Sequence, residues 1–160
     1  MERIDRILEN PEFQSYMHQI AEQERTRKFC LHGIEHSLDV ARIGYIRSLE
    51  QGFPFRQDVI YAMALLHDIG RGEEYTSGIS HHEVGAKLAR PILLACGYTE
   101  KESEEICEAI GRHKAPSEQG DSLATLLYDA DKLSRSCFAC PVQEQCYWSE
   151  EKKNHTIPVS

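Results

Sequence analysis

The run Tyr61-Ala62-Met63-Ala64-Leu65-Leu66 leads without a break into His67-Asp68. Nearly every residue of that run is apolar, so a helix built from it has no solvent face and must be enclosed by other elements. The chain therefore has to wrap one central helix, and it carries an imidazole and a carboxylate to that helix's end. An ionised Asp in such a place is costly unless positive charge meets it. The 160 residues are enough for one domain with a real core.

The rest of the pattern reads as helices joined by short loops. Pro11 opens a helix running to about Lys28, with Phe13, Tyr16, Met17 and Ile20 on one face. A second spans Ile34 to Glu50, offers Leu38, Ala41, Ile43, Tyr45 and Leu49 to the core, and is stopped by Gly52 and Pro54. The central helix follows from about Gln57 to Ile69. Gly70, Gly72, Thr76, Ser77 and Gly78 predict a loop. A fourth helix covers His81 to Cys96, with a kink or restart at Pro91. Thr99 and Glu102 form a capping-box pattern for a fifth, up to His113. Pro116 to Gly120 predicts a loop, and Asp121 a cap for a sixth helix ending near Ser134. Beyond Cys137 the chain reads as irregular. No segment alternates with period two. The expected fold is all-α and single-domain: an N-terminal helical segment over residues 1–29 packing on the core, a metal-binding bundle over 30–135, and a Cys-rich extension over 136–160.

The formal net charge of -8 argues against a dedicated nucleic-acid binder, which needs a basic face. Small phosphates remain accessible partners, since a metal and a few local cations set the field at a site. Glu2, Arg3, Asp5, Arg6, Glu9 and Glu12 interrupt the first residues, so no secretory leader is expected. Ala62 to Leu66 is far shorter than a bilayer demands, so no membrane partner is expected and the location reads as cytoplasmic. No oligomeric state follows from the sequence.

By itself the His67-Asp68 pair is weak evidence of metal binding, because many helices end in such residues. His36 on the preceding helix and Asp131 on the sixth strengthen it. Antiparallel helices gather such side chains at the centre of a bundle. Two imidazoles and two carboxylates suit Fe, Mn, Zn or Ni, with positions left for water and substrate.

The ordered set His36, His67-Asp68 and Asp131, with the flanks Ala64-Leu65-Leu66-His67-Asp68-Ile69-Gly70 and Asp129-Ala130-Asp131-Lys132-Leu133, resembles the HD superfamily of metal-dependent phosphohydrolases. The resemblance covers roughly residues 30 to 135 and implies hydrolysis by metal-activated water. His81, in His81-His82-Glu83-Val84-Gly85-Ala86, and His113, after Ala109-Ile110-Gly111-Arg112, resemble the subgroup holding two ions, in which Asp68 would bridge. One or two ions of Fe, Mn, Ni, Co, Zn or Mg are thus implied. The chain departs from the subgroup at Lys114, where many members have a second His. The plainer alternatives are a solvent-facing His81 at a helix N-terminus and a His113 that caps a helix C-terminus. His82 points about 100° away from His81 on a helix, so only His81 is expected to ligate. His32 lies one helical turn before His36 and is either near the substrate or on a surface loop. His18 and His155 have no expected role.

The resemblance further implies a small phosphorylated substrate, a nucleotide-type phosphomonoester or phosphoanhydride. Asp68 and His67 would be catalytic as well as ligating. Arg71 and Lys132 are candidate phosphate contacts, set against the usual solvated surface charge. Arg112, Lys114 and Arg135 are weaker candidates. Two other readings share these ligands: a catalytically silent metal-bearing sensor, and a di-iron oxygenase.

Cys137, Cys140 and Cys146 form Cys-x2-Cys-x5-Cys, able to fill three corners of a zinc site or to bind an iron–sulfur cluster. Cys30 lies six residues before His36 and Cys137 six after Asp131, so Cys30 is the expected fourth ligand if the two helices run antiparallel. Packed, reduced thiols are the alternative. Cys96 and Cys107 sit in apolar helical frames and are expected in the core.

Overall fold

The computed structural model describes residues 1–113 and 122–158. Eight α-helices form among these residues: α1 Glu2–Glu9, α2 Pro11–Gln23, α3 Ile34–Glu50, α4 Gln57–Leu66, α5 Arg71–Ser77, α6 His81–Ala95, α7 Glu100–Arg112 and α8 Leu123–Leu133. Three single 3-10 turns follow, at Cys137–Ala139, Gln143–Gln145 and Glu150–Lys152. No strand occurs among the described residues. The chain is all-α, as its periodicity requires.

The central helix is α4. Val59, Ile60, Ala62, Met63, Ala64, Leu65 and Leu66 are all buried, and α1, α3, α6, α7 and α8 all pack on it. Gly44 lets α3 approach closely, because a Cβ there would sit 3.3 Å from Ile60 and 3.6 Å from Ala130. α3 and α8 run in opposite senses: His36 meets Ser134 at one end and Arg47 meets Asp129 at the other. Asn10 caps α2 through Glu12 N and Phe13 N, Thr99 and Glu102 complete a capping box on α7, and Ser122 caps α8.

Several expectations are corrected. α1 is a separate amphipathic helix before Pro11, burying Ile4 and Ile7. α2 ends at Gln23, well short of Lys28. The glycine-rich segment expected as a loop is the helix α5; Gly72 is buried inside it, and Gly78, at φ 76°, closes it. α4 ends at Leu66, and residues 67–70 form a turn. α6 runs unbroken through Pro91 rather than restarting there; the ring is exposed while Ala89, Ile92 and Leu93 are held in the core. Leu49 is exposed. Ser122 is the cap of the last helix; the expected cap Asp121 and the loop from Pro116 to Gly120 lie outside the described residues.

Two contacts orient α4, one at each end. The first is Gly70. A Cβ there would stand 2.4 Å from the His81 carbonyl oxygen and 2.6 Å from the Gly85 nitrogen, so the turn after His67-Asp68 rests directly on the backbone of α6. The second is an ionic clamp behind the core. Arg3 on α1 donates to Asp58 at 2.6 Å and to Glu102 at 2.8 Å, and its guanidinium covers the Tyr98 ring at 3.9 Å. The Arg3 hydrogen bond holds the Glu102 carboxyl down at about 2 against an ordinary 4.5.

Gly70→Ala should destabilise the protein by about 1–3 kcal/mol, since rigid backbone atoms must move, and should lower metal affinity with it. Arg3→Met should cost about 2 kcal/mol at neutral pH. Glu102 is a depressed carboxylate, so its share of that difference is complete above 4.5 and fades as pH falls toward 2. Urea melts of both variants at several pH values check these outcomes.

Candidate metal centre

Because α4 is enclosed, its C-terminal turn delivers His67 and Asp68 into the interior, where both are buried. Its own turn and two neighbouring helices bring imidazoles to the same carboxylate. Asp68 Oδ2 lies 3.0 Å from His67 Nε2 and 3.5 Å from His36 Nε2 of α3. Its other oxygen, Oδ1, lies 3.5 Å from His81 Nε2 of α6 and accepts from Arg71 Nε at 3.0 Å. Asp131 of α8 joins through His36 Nε2, 3.2 Å from its Oδ1. The ligand atoms of His36, His67 and Asp68 lie within 4.8 Å of one another. So do those of His81, His82 and His113, forming a second group beside the first.

The structure thus brings His82 into the centre with His81. Their rings are 3.8 Å apart, and His82 Nδ1 is 3.2 Å from His113 Nδ1. The angular separation of adjacent helical residues does not exclude one of them here, because both sit in the first turn of α6, against the turn at residues 67–70 and the end of α7.

Outer contacts fix the rings. His67 Nδ1 sits 2.7 Å from the Ala64 carbonyl and His113 Nδ1 2.6 Å from the Ile110 carbonyl, each three residues back at its own helix end. His81 Nδ1 meets Glu74 Oε2 at 2.8 Å, and His36 Nδ1 meets the Ser134 hydroxyl at 3.2 Å. A ring held at Nδ1 in this way keeps the Nε2 lone pair for a ligand, the usual arrangement of metal-bound histidine. His67 Nε2, His81 Nε2 and Asp68 Oδ2 are buried without a hydrogen-bond partner among the described residues. Three such atoms turned toward one another are expensive in a dry interior. The donor set and its unpartnered atoms fit a divalent cation.

The electrostatics agree. Burial opposes ionisation of Asp68, but the charges of His67 and Arg71, with the His36 ring close by, outweigh it and hold the carboxyl well below its usual range. Burial likewise works against Asp131, and the His36 hydrogen bond and His67 charge overcome it. Burial lowers His81, pushes His82 to about 4 with the help of the His81 and Arg71 charges, and pushes His113 to about 3. These three rings are neutral at neutral pH, the form that ligates metal.

A cavity of about 650 Å³ opens beside the centre, lined by His32, His36, Arg71, Asp131, Lys132 and Arg135 among others. Arg71 is shared between Asp68 and Glu74. Lys132 Nζ lies 2.7 Å from Asp131. Arg135 approaches His36 Nε2 at 3.0 Å and donates to the Leu31 carbonyl at 2.9 Å, so it stands as close to the ligands as Arg71 does. Arg112 instead pairs with Glu108 at an exposed helix end, and Lys114 lies outside the described residues. His32 is buried; its Nδ1 is 2.5 Å from Glu24, whose other partner is the Tyr75 hydroxyl at 2.5 Å. Burial pushes the Glu24 carboxyl up, but His32 and Tyr75 bring it down to about 2. Glu24, Glu74 and Tyr75 escaped the sequence reading; only the position of Glu74, one turn after Arg71 and seven residues before His81, offered a signal. His18 and His155 are exposed. Cys96 is buried and Cys107 partly so. Cys30, Cys137, Cys140 and Cys146 all line the same cavity.

A helical bundle closed around a His/Asp centre of this kind is the architecture of a metal-binding protein. The HD domain profile matches residues 33–136, and the chain belongs to that family. It is 38% identical over 157 residues to an uncharacterized protein of Clostridium beijerinckii, covering 98% of this chain and 99% of that one. It is similar in structure to a predicted HD superfamily hydrolase from an uncultured Thermotogales bacterium, with a TM-score of 0.62 and 26% identity over 89% of this chain and 82% of the other. Ribonuclease Y of Acetivibrio thermocellus is 31% identical over 101 residues, 63% of this chain but 17% of that protein. No helix among the described residues is long and apolar enough to cross a membrane.

Asp68→Ala should abolish metal binding at both ligand groups, because one of its oxygens faces His36 and His67 and the other faces His81. Glu74→Gln should leave the first group intact and weaken the second about 10–100-fold, through loss of the His81 orienter. Metal titration followed by calorimetry distinguishes the two. An Asp68→Ala protein with full metal content would overturn this assignment.

Proposed function

We propose that the protein hydrolyses the phosphate monoester or phosphoanhydride bond of a nucleotide-type substrate. The observation that carries this reading is the two-sided use of Asp68. One oxygen faces His36 and His67, the other faces His81, and each side has its own group of ligand atoms. His36, His67, Asp68 and Asp131 would hold one divalent ion; Asp68, His81, His82 and His113 would hold a second. The nitrogen-rich set favours Fe, Mn, Co, Ni or Zn over Mg. When bound, such ions lower the pKa of water toward neutrality and offset charge on phosphoryl oxygens.

The chain's own residues supply the rest. Arg71, Lys132 and Arg135 form a cationic wall that binds phosphate oxygens, so the net charge of -8 does not repel a small anion locally. Asp68 and Asp131 keep their carboxylates ionised and orient the nucleophile. His32, its Nδ1 held by Glu24 and its pKa lowered by burial, lines the cavity and would offer the Nε2 lone pair as a proton acceptor. Trp148, its ring 5.5 Å from Lys132 Nζ, and Tyr147 line the same cavity and offer flat surfaces on which a base can stack.

Likeness to ribonuclease Y supports a second reading, a phosphodiester in a short RNA. The acidic composition weighs against long nucleic acid. Phosphate release from nucleoside mono- and polyphosphates and dinucleoside polyphosphates, with Mn, Co, Ni and Fe, tests the first reading; a short oligoribonucleotide tests the second. Turnover of a nucleotide should vanish on chelation, and Arg71→Ala should lower kcat by about 100-fold with metal content unchanged. Full metal loading without turnover on any substrate would leave a sensor instead. A product that forms only with oxygen would point to an oxygenase.

A further inference from the structure

The cavity has a second chemistry-bearing wall, which hydrolysis does not use. Cys30, from the segment between α2 and α3, faces it together with Cys137, Cys140 and Cys146 of the C-terminal extension. More than a hundred residues separate Cys30 from the other three in sequence, and all four are free thiols. Each of the three lies close enough for its charge to act on Cys30.

The backbone around them is organised. Cys140 N bonds Cys137 O at 3.1 Å, Gln143 Nε2 donates to Cys137 O at 3.0 Å, and Cys146 N bonds Gln143 O at 3.1 Å. Arg27 Nε donates to the Cys30 carbonyl at 2.9 Å, and Arg135 ties the neighbouring Leu31 carbonyl to the other strand of chain. Asn154 Nδ2 clamps the carbonyls of Lys132 and Arg135, both at 2.8 Å. These bonds hold two segments, distant in sequence, with their thiols on one space.

The local charge is positive. Lys153 is buried, an uncommon place for lysine, and its ammonium acts on Cys137 and Cys146. Arg135 acts on Cys30. Four thiolates around a metal centre of charge +2 carry a net negative charge that such cations offset.

Sulfur spacing favours the wider of two centres. A single tetrahedral zinc, with bonds of about 2.3 Å, draws its four sulfurs to roughly 3.8 Å of one another. No three of these sulfurs lie mutually within 4.8 Å among the described residues. A cubane cluster is wider, because each thiolate binds a different iron at a different corner.

We propose that Cys30, Cys137, Cys140 and Cys146 bind a [4Fe–4S] cluster that staples the C-terminal extension to the segment before α3 and so builds the outer wall of the cavity. The cluster is separate from the His/Asp centre and does not depend on the reaction assigned there. On ligation each thiol releases its proton to solvent. The segment from Lys132 to Arg135 lies between the two centres, so the staple also steadies the cations that face the substrate.

The test uses full-length protein, purified without oxygen and reconstituted with iron and sulfide. Acid-labile sulfide is the informative readout, because iron alone could sit at the His/Asp centre. About four sulfides per chain, with broad visible absorption that bleaches on reduction, is expected. Asp68→Ala should keep that sulfide. Cys30→Ser and Cys140→Ser should each lose most of it while retaining metal at the His/Asp centre, and Cys107→Ser should keep both. Far-UV circular dichroism checks that each variant is folded, and the wild-type sulfide content stands whatever the variants do. Stoichiometric zinc with sulfur-only coordination, absence of sulfide from reconstituted wild type, or equal loss in Cys107→Ser would overturn the proposal.

Discussion

Everything in this molecule is arranged around the burial of one carboxylate. Asp68 is almost wholly removed from water, and an unpaired ionised group there would be forced to neutralise. It stays ionised because α3, α4 and α6 each bring an imidazole to it and Arg71 adds a guanidinium. The hydrophobic effect supplies the drive: burying α4 on all sides carries its polar end inward. The helices that enclose α4 then have to present matching groups.

The matching groups are themselves held. Backbone carbonyls at two helix ends, the Glu74 carboxylate and the Ser134 hydroxyl each take an Nδ1, leaving Nε2 atoms to converge. Gly70 brings this about mechanically, since only a residue without a side chain lets the turn after Asp68 lie on the backbone of α6. Charge is organised in layers outward from there. Carboxylates and neutral rings lie deepest, then Arg71, Lys132 and Arg135 face the cavity, and the excess of acidic residues lies on the outer surface. An acidic protein thereby keeps a cationic pocket.

Much of this was legible in the sequence because the signals were local. The 3.6-residue periodicity marked α3 and α7, and the Thr99–Glu102 capping box marked the start of α7. His36, His67, Asp68 and Asp131 stood out because ligand-type residues in apolar helical frames demand a reason, and His81 and His113 through the resemblance to the two-ion subgroup. Other features were not legible. α1 is short and highly charged, and it buries only two side chains fully. α5 contains residues that by propensity favour a loop, yet packing against α2 and α6 makes it a helix. Pro91 reads as a breaker, but it occupies the one face of α6 where a ring meets only solvent.

The sequence by itself determined the helical class, the central apolar helix and the identity of the ligand-type residues, because these follow from side-chain chemistry and spacing along one chain. Only the tertiary structure decided that His82 joins His81 and His113, that Glu24 grips His32, and that Arg135 reaches His36. Those are meetings between elements, set by how helices cross and how closely their backbones approach, and no periodicity within a single segment encodes them.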